Sequence, residues 1–284
     1  YGVEFTKSNR IFRIAGGKVE FVAGIAHNAE KVKPSGDMHD GADPLKAIFH
    51  GMHDIQITSD DRAIIGDSFS RRVRLLGRKS GKVSTIAGTG TSGFGGDGGP
   101  ATAASFNITM TASLSPDEKR VHIADIGNNR TRMVDLGTGI VTTVAGNGKK
   151  GLPADGTPAL EATMGDTRAR DGTLYVLLRG GNSLVEVKDG KVRTVVNATG
   201  KKGYSGDGGP GRDATMNGPK YVAMDNEDRV LIADAENHLI RLYDPRDGST
   251  RTIAGTGKPG ITIVADDPLK TELNRPHGAT AGPD

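Results

Sequence analysis

The sequence predicts an all-β fold, a propeller of four-stranded blades, on three observations: a motif that returns at a near-constant interval, short β-type segments between turn residues, and an excess of glycine. Blocks ending in Ala-Gly recur at Phe21-Val22-Ala23-Gly24, Thr85-Ile86-Ala87-Gly88, Thr143-Val144-Ala145-Gly146 and Thr252-Ile253-Ala254-Gly255, with a weaker copy at Thr194-Val195-Val196-Asn197. Successive copies lie 64, 58, 51 and 58 residues apart. A second marker, an Asp shortly before a Pro, recurs at Asp43-Pro44, Asp97 to Pro100, Asp155 to Pro158, Asp207 to Pro210 and Asp267-Pro268, with prolines 56, 58, 52 and 58 apart. Two independent markers with one period are the signature of a repeat architecture.

Each period reads as four short strands. In the clearest copy these are Ile108 to Leu114, Val121 to Ala124, Thr131 to Asp135 and Val141 to Val144, separated by Ser115-Pro116-Asp117 and Gly137-Thr138-Gly139. Runs rich in Val, Ile, Thr and Met between Gly, Pro, Asn and Asp are strand and turn signals. The 42 glycines in 284 residues are far above the roughly 7% average, which calls for many tight turns. They do not fall at every third position, which excludes a collagen helix.

The repeat behaves as a circle, because the path from Pro268 through the chain ends to Pro44 spans 60 residues. Leu273-Asn274-Arg275-Pro276-His277-Gly278-Ala279 matches first strands elsewhere, and residues 2–24 match second, third and fourth strands. The expected organisation is one domain of five blades: blade 1 from residues 1–24 plus a C-terminal strand over 273–284, blade 2 over 48–90, blade 3 over 106–148, blade 4 over 163–200 and blade 5 over 215–257. The strand over 273–281 should then pair with Gly2 to Thr6, and the loops around Asp97 and Asp207 should share one backbone, with Gly98 and Gly208 at positive φ.

Composition narrows the partners. The chain has no cysteine, so disulfides, thiolate nucleophiles and Cys-based zinc sites are excluded, while the redox compartment stays open. A net charge of +3 without a Lys/Arg block argues against nucleic acid. No apolar run approaches the roughly 20 residues of a membrane span. The first residue, Tyr1, predicts a processed N-terminus, and the expected setting is a monomer that is extracellular or periplasmic.

The tracts Ile123-Ala124-Asp125-Ile126-Gly127-Asn128-Asn129-Arg130 and Ile232 to Arg241 resemble the NHL consensus, in which a strand ending in Ala-Asp leads through Asn to Arg-Ile or a similar pair. Thr85 to Gly90 followed by Phe94 to Ala101 resembles the inter-blade segment of bacterial secreted NHL-repeat proteins. The resemblance covers essentially the whole chain and implies a propeller. It leaves function open, because one fold hosts many activities. Such rings usually have six blades, so either five close here or a sixth was lost from a longer parent.

Aligning first strands puts His53, Met110, Arg168, Lys220 and His277 at one position, which a propeller turns toward its central channel. His53, Arg168, Lys220 and His277 are the candidate ligand-binding residues, because clustered cations hold carboxylate or phosphate through charge-assisted hydrogen bonds. His53, Lys220 and His277 are also the candidate acid/base residues. No cofactor is expected. The metal alternative is a divalent ion on His50, His53 and His277, perhaps with Asp54, opposed by the three-residue spacing of His50 and His53, which on a strand points them to opposite faces.

At the ends of second strands Thr6, Asp67, Asp125, Arg179 and Asp234 align, and the carboxylates there are expected to accept backbone N–H groups of the turns, helped by Asn128, Asn182 and Asn237. The Gly-Asp-Gly-Gly-Pro loops lack a following helix and a Lys-Ser/Thr, so they are turns rather than phosphate cradles. The leading reading is a binding or scaffold propeller for an anionic small molecule, glycan or protein segment. The alternatives are a lyase or hydrolase acting on a uronate-like substrate, and a purely structural repeat.

Overall fold

In a computed structural model, residues 1–4, 9–26, 38–77, 80–164 and 173–282 are described in full, and 167–170 by their backbone. The chain divides into two compact units, Tyr1–Val144 and Ala145–Asp284. The first unit is built on three antiparallel sheets: β1 (Gly2–Val3), β2 (Ile11–Ala15) and β3 (Lys18–Ala23); β4 (Met52–Ile57), β5 (Ala63–Asp67), β6 (Arg72–Gly77) and β7 (Lys82–Ala87); and β8 (Thr109–Leu114), β9 (Arg120–Asp125), β10 (Arg130–Asp135) and β11 (Val141–Ala145). The second unit carries two. One is β12 (Thr167–Arg170), β13 (Leu174–Leu178), β14 (Ser183–Lys188) and β15 (Lys191–Val196). The other is β17 (Tyr221–Met224), β18 (Val230–Asp234), β19 (Leu239–Asp244) and β20 (Ser249–Ala254), with the two-residue β16 (Gly209–Pro210) on its outer edge.

Within each four-stranded sheet the strands follow chain order, so short turns suffice and every pair is antiparallel. The sequence of each strand follows its place. Second strands such as Leu174-Tyr175-Val176-Leu177-Leu178 are nearly continuous apolar runs, because both faces are covered. Fourth strands such as Lys191-Val192-Arg193-Thr194 alternate, with one face in water.

The core lies between successive sheets. In the first unit Ile64, Val73, Phe106, Ile123, Val134 and Val141 form one layer, and Ile11, Phe49, Met52, Ile65, Leu76 and Val83 another. In the second, Tyr175, Leu177, Leu184, Met216, Val222 and Ile232 fill the space between the two sheets. Each such large side chain contributes about 1.5–3 kcal/mol on burial.

Phe49, Phe106, Met164 and Met216 are all fully buried and each stands four residues before an aligned first-strand position. Two residues after Phe49, Phe106 and Met216 the chain turns through positive φ, at Gly51 (68°), Ile108 (66°) and Gly218 (54°). Arg275 (50°) stands in the same place relative to Leu273, so the C-terminal segment does repeat the lead-in turn.

The C-terminal strand itself is a correction. Residues 273–282 form no strand, and Thr6 and residues 283–284 lie outside the described residues. Pro276 has no N–H to offer a ladder, and the Arg275 N–H is used by His238 Nδ1 at 3.1 Å. The segment instead stays against the second unit, where Ala281 packs on the cluster of Ala223, Leu231 and Leu242, and Asn226 Nδ2 donates to the Gly282 carbonyl.

The repeated loops behave as the sequence predicts. Gly98 and Gly208 both have φ of 79°, with Gly98 N donating to Val141 O and Gly208 N to Thr250 O, each at 2.8 Å. The following prolines bridge to the outer strand or just before it, at Pro100–Ile140 and Pro210–Ser249, which blunts that edge.

Candidate functional site

Among the described residues the largest fully buried side chains are three arginines, one on the third strand of three different sheets. Arg74, Arg132 and Arg241 are fully buried. Each lies near a buried carboxylate at the end of the second strand, Asp67 (3.5 Å), Asp125 (3.7 Å) and Asp234 (3.9 Å). Each also pairs with the loop carboxylate, Asp40 (2.5 Å), Asp97 (2.8 Å) and Asp207 (2.7 Å), and donates to loop carbonyls, as Arg241 does to Thr215 and Ser205.

The second-strand carboxylates accept the backbone N–H of His50 (2.6 Å), Asn107 (2.7 Å) and Asn217 (2.8 Å). This is the role expected of them. Burial pushes Asp125 and Asp234 up to about 6. Asn128 and Asn237 complete the unit. Each donates to the neighbouring Asp at 2.8 Å and to a loop carbonyl, Gly93 or Gly203, at 2.7 Å. The arginine partner is the element that the sequence reading missed, and its signal is a seven-residue Asp-to-Arg spacing in three blades.

The β13–β14 turn departs from this pattern. Strand pairing of Leu178 with Ser183 matches that of Asp125 with Arg130 and Asp234 with Leu239, so Leu178, not Arg179, stands at the carboxylate position. Gly181 replaces the latching asparagine and Val185 the buried arginine. Asp155, the loop carboxylate, pairs instead with Arg212 at 2.7 Å. The alignment of Arg179 with the carboxylates is thus off by one residue. Freed from that network, Arg179 is exposed.

Arg179 lines a polar cleft of about 750 Å³ in the second unit with Gly180, Asn182, Lys202, Asn217, Gly218 and Glu236. Asn182 is buried and ties two turns together, accepting from Gly218 N at 2.9 Å and donating to Gly200 O at 3.1 Å. Gly218 is needed at its place twice over. Its φ is positive, and a Cβ there would fall 2.6 Å from Glu236 Cγ.

Glu236 joins the cleft to a second group of charges. Its Oε1 accepts from Arg275 at 2.6 and 3.2 Å and lies 3.8 Å from Lys220 Nζ. Lys220, only 5% exposed, contacts His277 Nε2 at 2.8 Å. The hydrogen bond from Arg275, with the nearby charges of Lys220 and Arg179, holds the Glu236 carboxyl below the usual range. Lys220 and Arg275 thus face the carboxylate that lines the cleft together with Arg179 and Lys202.

Of the four candidate ligand residues, Lys220 and His277 meet. His53 is in the first unit, where Nδ1 lies 3.0 Å from Gly51 O and 2.8 Å from Ser68 Oγ. Arg168 is on β12, and its side chain lies outside the described residues. His50 precedes β4 rather than lying on it, and both His50 and His53 pack edge-on against Phe69, with centroids at 5.8 and 5.6 Å, instead of facing apart. Among the described residues no group of three or more His, Asp or Glu is arranged to hold a metal ion.

No family model matches the sequence. The chain is 23% identical over 255 residues to NHL repeat-containing protein 2 of Gallus gallus, covering 80% of this chain and 34% of that protein. The chain has a five-bladed β-propeller fold and is similar in sequence to NHL-repeat proteins. The propeller is also 25% identical over 232 residues to Protein SUPPRESSOR OF QUENCHING 1, chloroplastic, of Arabidopsis thaliana, covering 75% of this chain and 21% of that protein. It therefore spans only a fifth to a third of these curated relatives. Among solved structures, the propeller resembles an auxiliary nutrient binding protein from Bacteroides ovatus (TM-score 0.57, 16% identity, 80% of this chain and 53% of that chain). It also resembles a chain in a nidogen/laminin complex (TM-score 0.57, 10% identity, 98% and 80%). Among the described residues no helix is long and apolar enough to cross a membrane.

Proposed function

We propose that this propeller is a binding module for a small anionic ligand, held in the second unit by Arg179, Lys202, Lys220 and His277, and that it acts as a monomer outside the cytoplasm. One observation carries the reading: Lys220, although 5% exposed, is kept beside His277 at the margin of a cleft whose other cations are Arg179 and Lys202. The clustered positive charge of these side chains attracts an anion, and charge-assisted hydrogen bonds would hold it. The name of the Bacteroides ovatus neighbour, an auxiliary nutrient binding protein, agrees with a binding role.

The test is titration calorimetry with a galacturonate trisaccharide, comparing the wild type with the double variant Arg179→Met and Lys220→Met. Loss of at least tenfold in affinity, with an unchanged circular dichroism spectrum, supports the site. Equal affinity in both proteins, or no binding to either, defeats it.

The second reading, a lyase or hydrolase on the same class of substrate, rests on the 2.8 Å Lys220–His277 contact, the geometry of a proton-sharing pair. Release of an unsaturated uronate or a new reducing end by the wild type, and not by His277→Gln, would favour it over simple binding.

A further inference from the structure

We infer that Glu236 occupies the seat of the ligand's own carboxylate, so that the site selects a sugar acid and is held closed by an internal competitor until one arrives. This rests on the binding role proposed above and specifies its ligand.

The seat is built rather than incidental. The Glu236 stem lies over Gly218, whose missing side chain makes the room, and Asn182 fixes the Gly218 amide from beneath. Oε1 collects both Arg275 contacts and faces Lys220 at 3.8 Å. Arg275 is in turn held by its backbone N–H on His238 Nδ1. The group that satisfies these donors is a carboxylate, which identifies the chemistry that they accept. Glu236 itself hangs from a turn and is about one third exposed, so its flexible side chain can swing out and leave the donors in place.

The rest of the cleft favours a sugar over a peptide. Among the described residues its other lining groups are Arg179, Lys202, Asn182, Asn217 and glycine backbone, with no apolar side chain. Strand-addition and helix-in-groove recognition of peptides use pockets for side-chain anchors, which this lining lacks, whereas the Asn217 amide offers the paired donor and acceptor that sugar hydroxyl groups match.

The experiment compares wild type, Glu236→Gln and Glu236→Ala for binding of a galacturonate trisaccharide, its methyl ester, and an acidic hexapeptide. Removing the competitor should raise affinity for the free acid at least fivefold in both variants, leave the ester weak in all three proteins, and leave the peptide weaker than the acid. Thermal midpoints show whether the variants remain folded. If the wild type binds the free acid and the folded variants bind it equally or less tightly, Glu236 is a structural residue and this inference fails while the binding role stands. A peptide that outcompetes the acid overturns the sugar-acid assignment alone. Absence of acid and peptide binding by all three proteins removes both the inference and the role on which it rests.

Discussion

The β9–β10 and β13–β14 turns have the same length and the same left-handed residue before the third strand, Asn129 (φ 48°) and Asn182 (φ 50°), yet opposite interiors. The first carries Asp125, Asn128 and Arg132 as one buried polar unit, and the second carries Leu178, Gly181 and Val185 at the same three places. All three polar groups are absent together. A half-kept network would leave an uncompensated charge in the core, so the two stable solutions are the whole set or none of it. The polar solution stitches a long loop onto the sheet through Asp97 and Gly93. The apolar one keeps the sheet packed and holds its loop on β15 through Asp155 and Gly156, and Arg179 with the polar cleft lies beside that turn.

The sharpest way to break this comparison is to remove one member of the polar set. Arg132→Met should cost about 3–5 kcal/mol, because Asp125 is then buried without its cation. The triple change Arg132→Val, Asp125→Leu and Asn128→Gly, which copies the β13–β14 solution, should recover a large part of that loss. Urea unfolding midpoints decide it. A single variant that loses under about 1 kcal/mol would show that the arginine does not hold the unit together.

A pH series sharpens the same contrast. Burial raises Asp125 and Asp234 to about 6, above the ordinary carboxylate value near 4. Across this window the folded chain binds more protons than the unfolded one, so the contribution of these two groups is complete below about pH 4 and is lost as pH rises through about 6. Asp244 has the opposite sign. The Arg246 hydrogen bonds hold it at about 2, and its contribution is present above about pH 4 and lost as pH falls through about 2. The thermal midpoint should therefore rise by roughly 5 °C from pH 7 to pH 5 and fall again in strong acid. In the double variant Asp125→Asn and Asp234→Asn the rise should shrink to the part left by Asp67, which burial also raises. A wild-type midpoint that is flat or falling from pH 7 to pH 5 contradicts the assignment.

How much of this was readable in advance follows from what repeats and what does not. The blades and their turns were legible because Ala-Gly and Asp…Pro recur at one period and because Gly98 and Gly208 sit in loops of the same composition. The Asp67, Asp125 and Asp234 roles were legible because three copies agree. Arg179 was misaligned because the turn that holds it has lost the aspartate that marks the register, and only the Leu178–Ser183 pairing restores it. The segment 273–282 has the composition of a lead-in turn and repeats that turn's backbone at Arg275, but whether a ladder follows depends on partners that no local pattern specifies. Blade alignment set Lys220 and His277 in one group with His53 and Arg168, and of these the first two are in contact. The part of Glu236 was not legible, because a single glutamate in a turn has no counterpart in the other copies.

The smallest expected effect tests the latch alone. Asn237 Nδ2 donates to Gly203 O and to Asp234, each below 3 Å, and the equivalent β13–β14 position is Gly181. Asn237→Ala leaves the Gly203 carbonyl and one Asp234 oxygen short of a donor, which should cost about 1–2 kcal/mol. The change should also loosen the loop around Tyr204, seen as faster amide exchange at residues 203–206 with the rest of β18 and β19 unchanged. The reverse change, Gly181→Asn, meets no positive φ, and its Cβ would lie 3.3 Å from Leu178 Cβ, so it should be tolerated with a shift of under about 1 kcal/mol. No aspartate waits beside it, so the added amide has only the loop to hold. If Gly181→Asn slows exchange at Gly151 and Leu152 as strongly as Asn237→Ala speeds it at Gly203, the latch works without its carboxylate. If Gly181→Asn changes nothing there, the asparagine acts only as part of the complete Asp, Asn and Arg set.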